Sequence, residues 1–370
     1  MKKRILLILL CLGICCGFAA CSSSEDPPKV TDLPTSSIEA AASPKPEITP
    51  SPEAPGFLNP LTGLPADTDL SGKRPIAMMI NNAKKATPQV GISEADIIYE
   101  CLMEGGYTRL MCLFQDYKAV GEIGSVRSAR DYFIDFAQNH DAIYFHAGGS
   151  PQAYINLKER GINHVDGVNG YIADTFYRDE ERRKTMGYEH SLMIDAKGIQ
   201  NALDKKKFRL EIKEGFASPF RFSEEKYIPQ GQDAGYVKIK YSGYITGEFD
   251  YDKQSGKYLR SQFGKAHIDG ATGETLAFDN ILILVMPHSD IKGDEAGRIA
   301  VSTTGSGSGY YVYGGKAMEI RWQKDSRDQA MTLSSPDGSA FAMNPGKTFV
   351  SIASEYARKN MEMALERSTE

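Results

Sequence analysis

Three arginines, two histidines and one glycine loop hold most of the reactive chemistry of this chain: Arg109, Arg127, Arg130, His146, His190 and Gly148-Gly149-Ser150. Guanidinium groups are planar forks that grip a phosphate or carboxylate through two hydrogen bonds at once. Arg127 and Arg130 are three residues apart, which puts them on one face of a helix opening near Ser125. In the first turn of such a helix each cation opposes the helix dipole by about 0.3–1 kcal/mol. A bound anion or a carboxylate offsets that cost, and Asp131, four residues after Arg127, is one such carboxylate. Gly148-Gly149-Ser150 precedes Pro151 and adds backbone N–H groups at a second helix start, a common cradle for anions. The pattern points to an oxyanion site. His146, and His190 beside Glu189, add acid–base groups, so the cluster could also serve phosphoryl or glycosyl transfer or hydrolysis. A plainer account pairs the arginines with Asp131, Asp135 or Glu122, leaves the glycines as a tight turn, and makes His190 structural. Both accounts stay open at the level of sequence.

Other motifs fall away on spacing. Pro345-Gly346-Lys347-Thr348 has Phe341 where a phosphate-binding loop needs its first glycine. Gly305-Ser306-Gly307-Ser308-Gly309 does not have the form of a nucleophile elbow and reads as a flexible loop. The six histidines lack metal-ligand spacing, so neither a metal nor a cofactor is expected. Asp269 and Glu274 flank Thr272-Gly273, a turn.

The elements that must position the arginines follow from periodicity. Ile76–Ile80 reads as a strand, and Ile97–Met103 and Arg109–Phe114 as a hairpin around Glu104-Gly105-Gly106-Tyr107-Thr108. Ala129, Tyr132, Phe133, Phe136 and Ala137 form the apolar stripe of a helix ending near His140. Ala142–Phe145 reads as a buried strand, and Ser150-Pro151 opens a helix that stops at Gly161. This is an α/β (α+β) first domain with a mixed sheet, over residues 56–222. Residues 223–370 read as a β-rich second domain of short strands, with a terminal helix over Ser354–Arg367. Cys101 and Cys112 lie symmetrically about Gly106–Tyr107; a disulfide and two buried thiols are both open. Tyr310, Tyr311, Tyr313 and Trp322 are either ordinary strand packing or a surface for another envelope protein.

Location is easier to read. Met1-Lys2-Lys3-Arg4 is a basic start, Ile5–Ala20 an apolar run short for a membrane span, and Phe18-Ala19-Ala20-Cys21 a small-residue site before a cysteine. The pattern resembles the lipobox of bacterial lipoproteins, with residues 1–20 as the leader and Cys21 carrying the lipid. Cleavage there removes three cations and no acid, taking the formal charge from −5 to −8. Residues 21–55 are Ser, Pro, Glu, Thr and Ala with almost no large apolar side chain, a tether unable to bury a core. The expected place is the extracytoplasmic face of the cell membrane, anchored by lipid, with no affinity for nucleic acid.

Arg74-Pro75-Ile76-Ala77, Ile80-Asn81-Asn82, Ala95-Asp96-Ile97-Ile98-Tyr99-Glu100, Glu104-Gly105-Gly106, Thr108-Arg109, Arg127-Ser128-Ala129-Arg130 and His146-Ala147-Gly148-Gly149-Ser150-Pro151 together resemble the YerB-like lipoproteins of Gram-positive bacteria. Arg260-Ser261-Gln262, Ala266-His267-Ile268-Asp269, Thr272-Gly273-Glu274 and Asn344-Pro345-Gly346-Lys347-Thr348 extend the resemblance to about residue 352. It implies paired N- and C-terminal domains of unknown function. The first domain also resembles, more loosely, the LytR–CpsA–Psr phosphotransferases, which hold a polyprenyl pyrophosphate with arginines, but the Pro-Arg-Asp stretch of that family is absent. The expected function is a lipid-anchored protein whose arginines and Gly-Gly loop bind an anionic wall polymer or lipid-linked precursor. Catalysis at that site and protein–protein scaffolding are the alternatives.

Overall fold

Apolar runs of six or seven residues, buried on both faces, become the centre of the structure. The computed structural model describes residues 56–170 and 172–368; the leader, Cys21 and the tether lie outside them. In the first half the main strands are β1 (Ile76–Asn81), β2 (Ile97–Leu102), β3 (Thr108–Phe114), β4 (Ile143–His146), β5 (His164–Asp166) and β6 (Leu192–Ile194). The helices are α1 (Asp131–Gln138), α2 (Pro151–Glu159), α3 (Glu180–Thr185) and α4 (Ala196–Lys206). The second half supplies β7 (Tyr236–Lys240), β8 (Thr246–Asp252), β9 (Lys257–Gln262), β10 (Asn280–Val285), β11 (Gly305–Tyr313), β12 (Lys316–Lys324), β13 (Thr348–Ala353), α5 (Glu355–Lys359) and β14 (Glu362–Ala364).

An eleven-stranded mixed sheet runs β12, β11, β10, β13, β2, β3, β1, β4, β5, with Gln232–Asp233 and Thr332–Ser334 on the β12 edge. β2 and β3 form the expected antiparallel hairpin, while β4 lies parallel to β1 and β5 parallel to β4. The halves are joined by β13, which runs parallel to β2 with Thr348 opposite Ile97 and Ile352 opposite Cys101. β7, β8, β9 and β14 belong to a second, antiparallel sheet. Alternate side chains sort into two cores. Met78, Ile80, Ile98 and Leu110 face the second sheet and α4, and Ala77, Met79, Ile97 and Met111 face α1 and α2.

Three expectations are corrected here, and one open question is settled. No helix opens at Ser125: Ile123–Gly124 pairs with β6, Val126 bridges Ile80, and the Arg127 N–H donates to the Met79 carbonyl. Extended pairing has claimed the segment, so α1 starts at Asp131 with Arg130 as its extended N-cap. The C-terminal helix stops at Lys359, because the chain then turns to pair Glu362–Ala364 with β7. Gly305–Gly309 is strand rather than loop; the Trp322 indole fills the space beside Gly307, where a Cβ would come within 2.6 Å of its nitrogen. Finally, Cys101 stands opposite Arg109 and Cys112 opposite Ile98, on different faces of the sheet. That register leaves two buried free thiols. Ser150 caps α2 as expected, accepting from the Ala153 N–H at 3.1 Å with Pro151 at the first helical position.

The motif residues of the two halves meet in the interior. Arg260 and Glu100, both fully buried, pair at 2.7 Å. Glu100 also accepts from Asn82 at 3.0 Å and Thr108 at 2.6 Å. Arg260 reaches His267, and His267 bonds Gln89 at 2.7 Å. Asp269 takes the N–H groups of Gly91 and Ser93. These residues fasten the halves together, with no surface on which to meet a ligand.

Candidate functional site

The β2–β3 hairpin and the extended 123–130 segment carry the arginines to one end of the sheet. Arg109 is the second residue of β3, opposite Asn81 on β1, and shares the α1 side of the sheet with Met111 and Met79. It is 4 % exposed, and the only hydrogen bond from its side chain among the described residues is from Nη1 to the Ser128 carbonyl at 2.6 Å. Burial, then the like charges of Arg130 and Arg127, push its pKa down to about 9. Arg127 is half-buried, donating to the Glu189 carbonyl at 3.2 Å, and its pKa is lowered by burial despite the opposing charge of Glu189. The Nε groups of both Arg109 and Arg127 are buried with no acceptor, as is the Tyr144 hydroxyl. Tyr144 lies in β4 within the field of Arg109 and Arg130. A buried donor left unpaired costs about 1–3 kcal/mol, and three of them lie on Arg109, Arg127 and Tyr144.

Arg130 is differently placed. Its Nε donates to Glu104 Oε2 at 2.9 Å, its Nη2 to Glu104 Oε1, and its Nη1 to the Ala129 carbonyl. Burial pushes Glu104 up, but the hydrogen bonds and charge of Arg130, with Arg109 behind, hold it below the ordinary carboxylate range. Asp131, named from the sequence as a partner for Arg127, meets Arg327 instead.

His190 joins this neighbourhood from the second loop cluster. Asn81 Oδ1 accepts from the Ala83 N–H, which turns the Asn81 amide nitrogen toward His190 Nδ1 at 2.7 Å. The ring proton therefore sits on Nε2, 3.4 Å from Glu189 Oε1. Burial lowers the His190 pKa, and the charges of Arg127, Lys85 and Arg182 add to that against Glu189. Arg178 stacks on Tyr188 at 3.8 Å beside it.

His146 and the glycine loop are engaged elsewhere. His146 Nδ1 bonds the Gly148 carbonyl at 2.8 Å and Nε2 bonds His164 Nδ1 at 2.9 Å. Burial lowers its pKa, and burial with His146 beside it takes His164 down to about 4. The Gly148 N–H donates to Asp166 at 2.8 Å, the Ser150 N–H to the Ala129 carbonyl and the Ala153 N–H to Ser150 Oγ. Asp166, also held by Tyr154 at 2.7 Å, is the anion this loop cradles. Gly148 has φ +72°, a conformation that suits glycine and aims its N–H at Asp166.

A groove of about 1050 Å³ opens on the second half, lined in part by Phe216, Arg321, Trp322, Met331 and Phe341. None of the sequence-derived site residues lines it, nor does any residue with an unpartnered buried polar atom among those described. Three of the unpaired groups sit on Arg109, Arg127 and Tyr144; Arg260 Nε is another, in the interior cluster with Glu100 and His267. Among the described residues no cluster of three or more His, Cys, Asp or Glu is placed to hold a metal ion. Sequence reasoning missed Tyr144, Asn81 and Glu104 as members of this neighbourhood. Tyr144 carried no signal beyond a buried aromatic; the Asn81-Asn82 and Glu104-Gly105-Gly106 motifs did mark the other two.

Comparison with known proteins covers both halves. Residues 61–209 match the family described as "Protein of unknown function (DUF3048) N-terminal domain", and residues 237–350 match its C-terminal domain. The chain is 30% identical over 296 residues to the Bacillus subtilis protein described as "Putative lipoprotein YerB", covering 79% of this chain and 85% of that one. The crystal structure of YerB protein from Bacillus subtilis superposes with a TM-score of 0.71 at 28% identity, over 83% of this chain and 99% of the other. Among the described residues no helix is long and apolar enough to cross a membrane.

Proposed function

The chain belongs to the DUF3048 family of YerB-like proteins, and on that footing we propose that it is a lipid-anchored extracytoplasmic protein that binds an anionic component of the cell envelope. The observation that carries the reading is that Arg109 Nε, Arg127 Nε and the Tyr144 hydroxyl are all buried without a partner, while Arg109 lies in the like-charge field of Arg127 and Arg130 and in turn acts on Tyr144. An oxyanion would satisfy the donors and relieve the mutual repulsion of the guanidiniums at once. The basic leader, Cys21 and the polar tether support anchoring, as does the lipoprotein description of the relative. A wall glycopolymer or a lipid-linked precursor is the ligand within reach of such an anchor.

Binding without turnover is the version we favour. A general base needs a free basic nitrogen near the reacting proton. His190 Nδ1 is capped by Asn81, and both ring nitrogens of His146 are hydrogen-bonded. Arg127→Ala tests the reading with little risk to the fold, since the only hydrogen bond from its side chain among the described residues is the 3.2 Å contact to Glu189. Loss of its charge-assisted bonds, about 1.5–3 kcal/mol, should weaken binding to purified wall glycopolymer or lipid-linked precursor at least tenfold. Retained affinity in a folded variant would refute the proposal.

A further inference from the structure

We infer that the groove on the second half is a docking site for an extended acidic peptide, held by Lys213, Arg221 and Arg321 at its rim and by an open part of the β12 edge. This goes beyond the anion-binding reading and uses none of its residues.

The rim is cationic and unpaired. Lys213, Arg221 and Arg321 line the groove and are exposed, and their side chains have no hydrogen bond or ion pair among the described residues. The acids of the lining are Glu319 and Asp328, and Asp328 is already paired with Arg160 at 2.9 Å. Three cations therefore face one uncommitted carboxylate, in a chain whose formal charge is −5. A local excess of this kind along a groove favours an occupant of opposite sign.

The walls suit a peptide better than a glycan. Trp322 is 1% exposed and Phe341 5%, so neither ring offers a face on which a sugar could stack. Main chain is accessible instead. On the β12 edge Gln232–Asp233 pairs with Lys316 and Ala317, and Thr332–Ser334 pairs with Arg321–Gln323. Met318–Ile320 between them has no strand beside it among the described residues, and Glu319 and Ile320 line the groove. An open edge presents N–H and C=O groups that an extended chain can bond. The gap is short enough to limit the peptide to about one or two main-chain bonds. The rim cations supply the remaining grip by holding its acidic side chains, and half-buried Phe216 and Leu333 give its apolar side chains a surface.

The test is fluorescence anisotropy with the full chain in detergent micelles at pH 7.5. The probes are labelled peptides of equal length that alternate glutamate with valine or lysine with valine, with polygalacturonate as an acidic glycan competitor. The glutamate peptide should bind about tenfold or more tighter than the lysine peptide. Arg221→Glu/Arg321→Glu should weaken it about tenfold or more, the scale of two exposed charge pairs lost and reversed. Ala340→Trp, which puts a large ring into the groove from an exposed position, should abolish binding. Arg127→Ala should leave it unchanged, and matching urea midpoints show that each variant is folded. Absence of binding, equal binding of the two peptides, or affinity untouched by either groove variant would overturn the inference. Displacement by polygalacturonate at a lower charge-equivalent concentration than by unlabelled glutamate peptide would make the occupant a glycan and overturn it. Loss of binding in Arg127→Ala would move the peptide to the arginine site and also overturn it.

Discussion

Replacing Arg260 with leucine should destabilise the protein by about 3–5 kcal/mol, the cost of leaving a buried charge without its partner. Arg260 and Glu100 are both fully buried, and Glu100 would keep only the Asn82 and Thr108 donors. The site also spans the two halves, since Glu100 lies in β2 and Arg260 in β9. A loosened pair would weaken the attachment of the second sheet to the main one. Glu100→Gln combined with Arg260→Met should recover part of the loss, because no charge is then stranded. Urea denaturation of the three variants measures this. A single-variant cost below about 1 kcal/mol, the scale of an exposed pair, would contradict the account of the interior.

Acid should destabilise the protein at pH values above those at which ordinary carboxylates titrate. All six histidines have lowered pKa values, with burial the leading cause in each: His140 to about 3, His164 to about 4, and His146, His190, His267 and His288 in the same direction. The unfolded chain takes up a proton on each near pH 6.5, whereas the folded chain does not until lower pH. Unfolding therefore binds protons between pH 6.5 and about 4, and stability falls as pH drops through that window. The slope reaches at most about 1.4 kcal/mol per pH unit for each fully buried histidine, and less for His190 and His164, which are nearer solvent. Asp96, whose carboxyl is raised by burial against its hydrogen bond to the Gln115 N–H and the charge of Lys347, works in the opposite sense. The net expectation is a loss of several kcal/mol from pH 7.5 to 5.5, read from urea midpoints. Equal stability at the two values would mean that these imidazoles are not held neutral.

Local pattern was a sound guide wherever neighbours in sequence decide the structure. The β2–β3 hairpin, the Ser150-Pro151 start of α2 and the short strands of the second half follow from alternation, capping and turn residues. β13 between β10 and β2 is not in that class, because its pairing with Ile97–Cys101 joins residues some 250 positions apart. The stripe from Ala129 to Ala137 gave the buried face of α1 but could not say where the helix begins. Pairing of Ile123–Gly124 with β6 decided that, and it moved Arg127 and Arg130 off the helix. The arginine cluster was legible as residue types. Its division of labour was not: Glu104 takes Arg130, and Asp166 fills the loop that Gly148 offered to a ligand. Both are tertiary contacts with no local sequence signature.

The central claim is that the unpaired donors of Arg109 and Arg127 are the binding surface for an oxyanion. Crystals of the protein grown or soaked with dimethyl phosphate test it most directly. The account predicts the phosphate group within hydrogen-bond distance of the Arg109 and Arg127 guanidiniums, with the Glu104–Arg130 pair intact beside it. An anion bound elsewhere, with Arg109 Nε and Arg127 Nε still without partners, would contradict it.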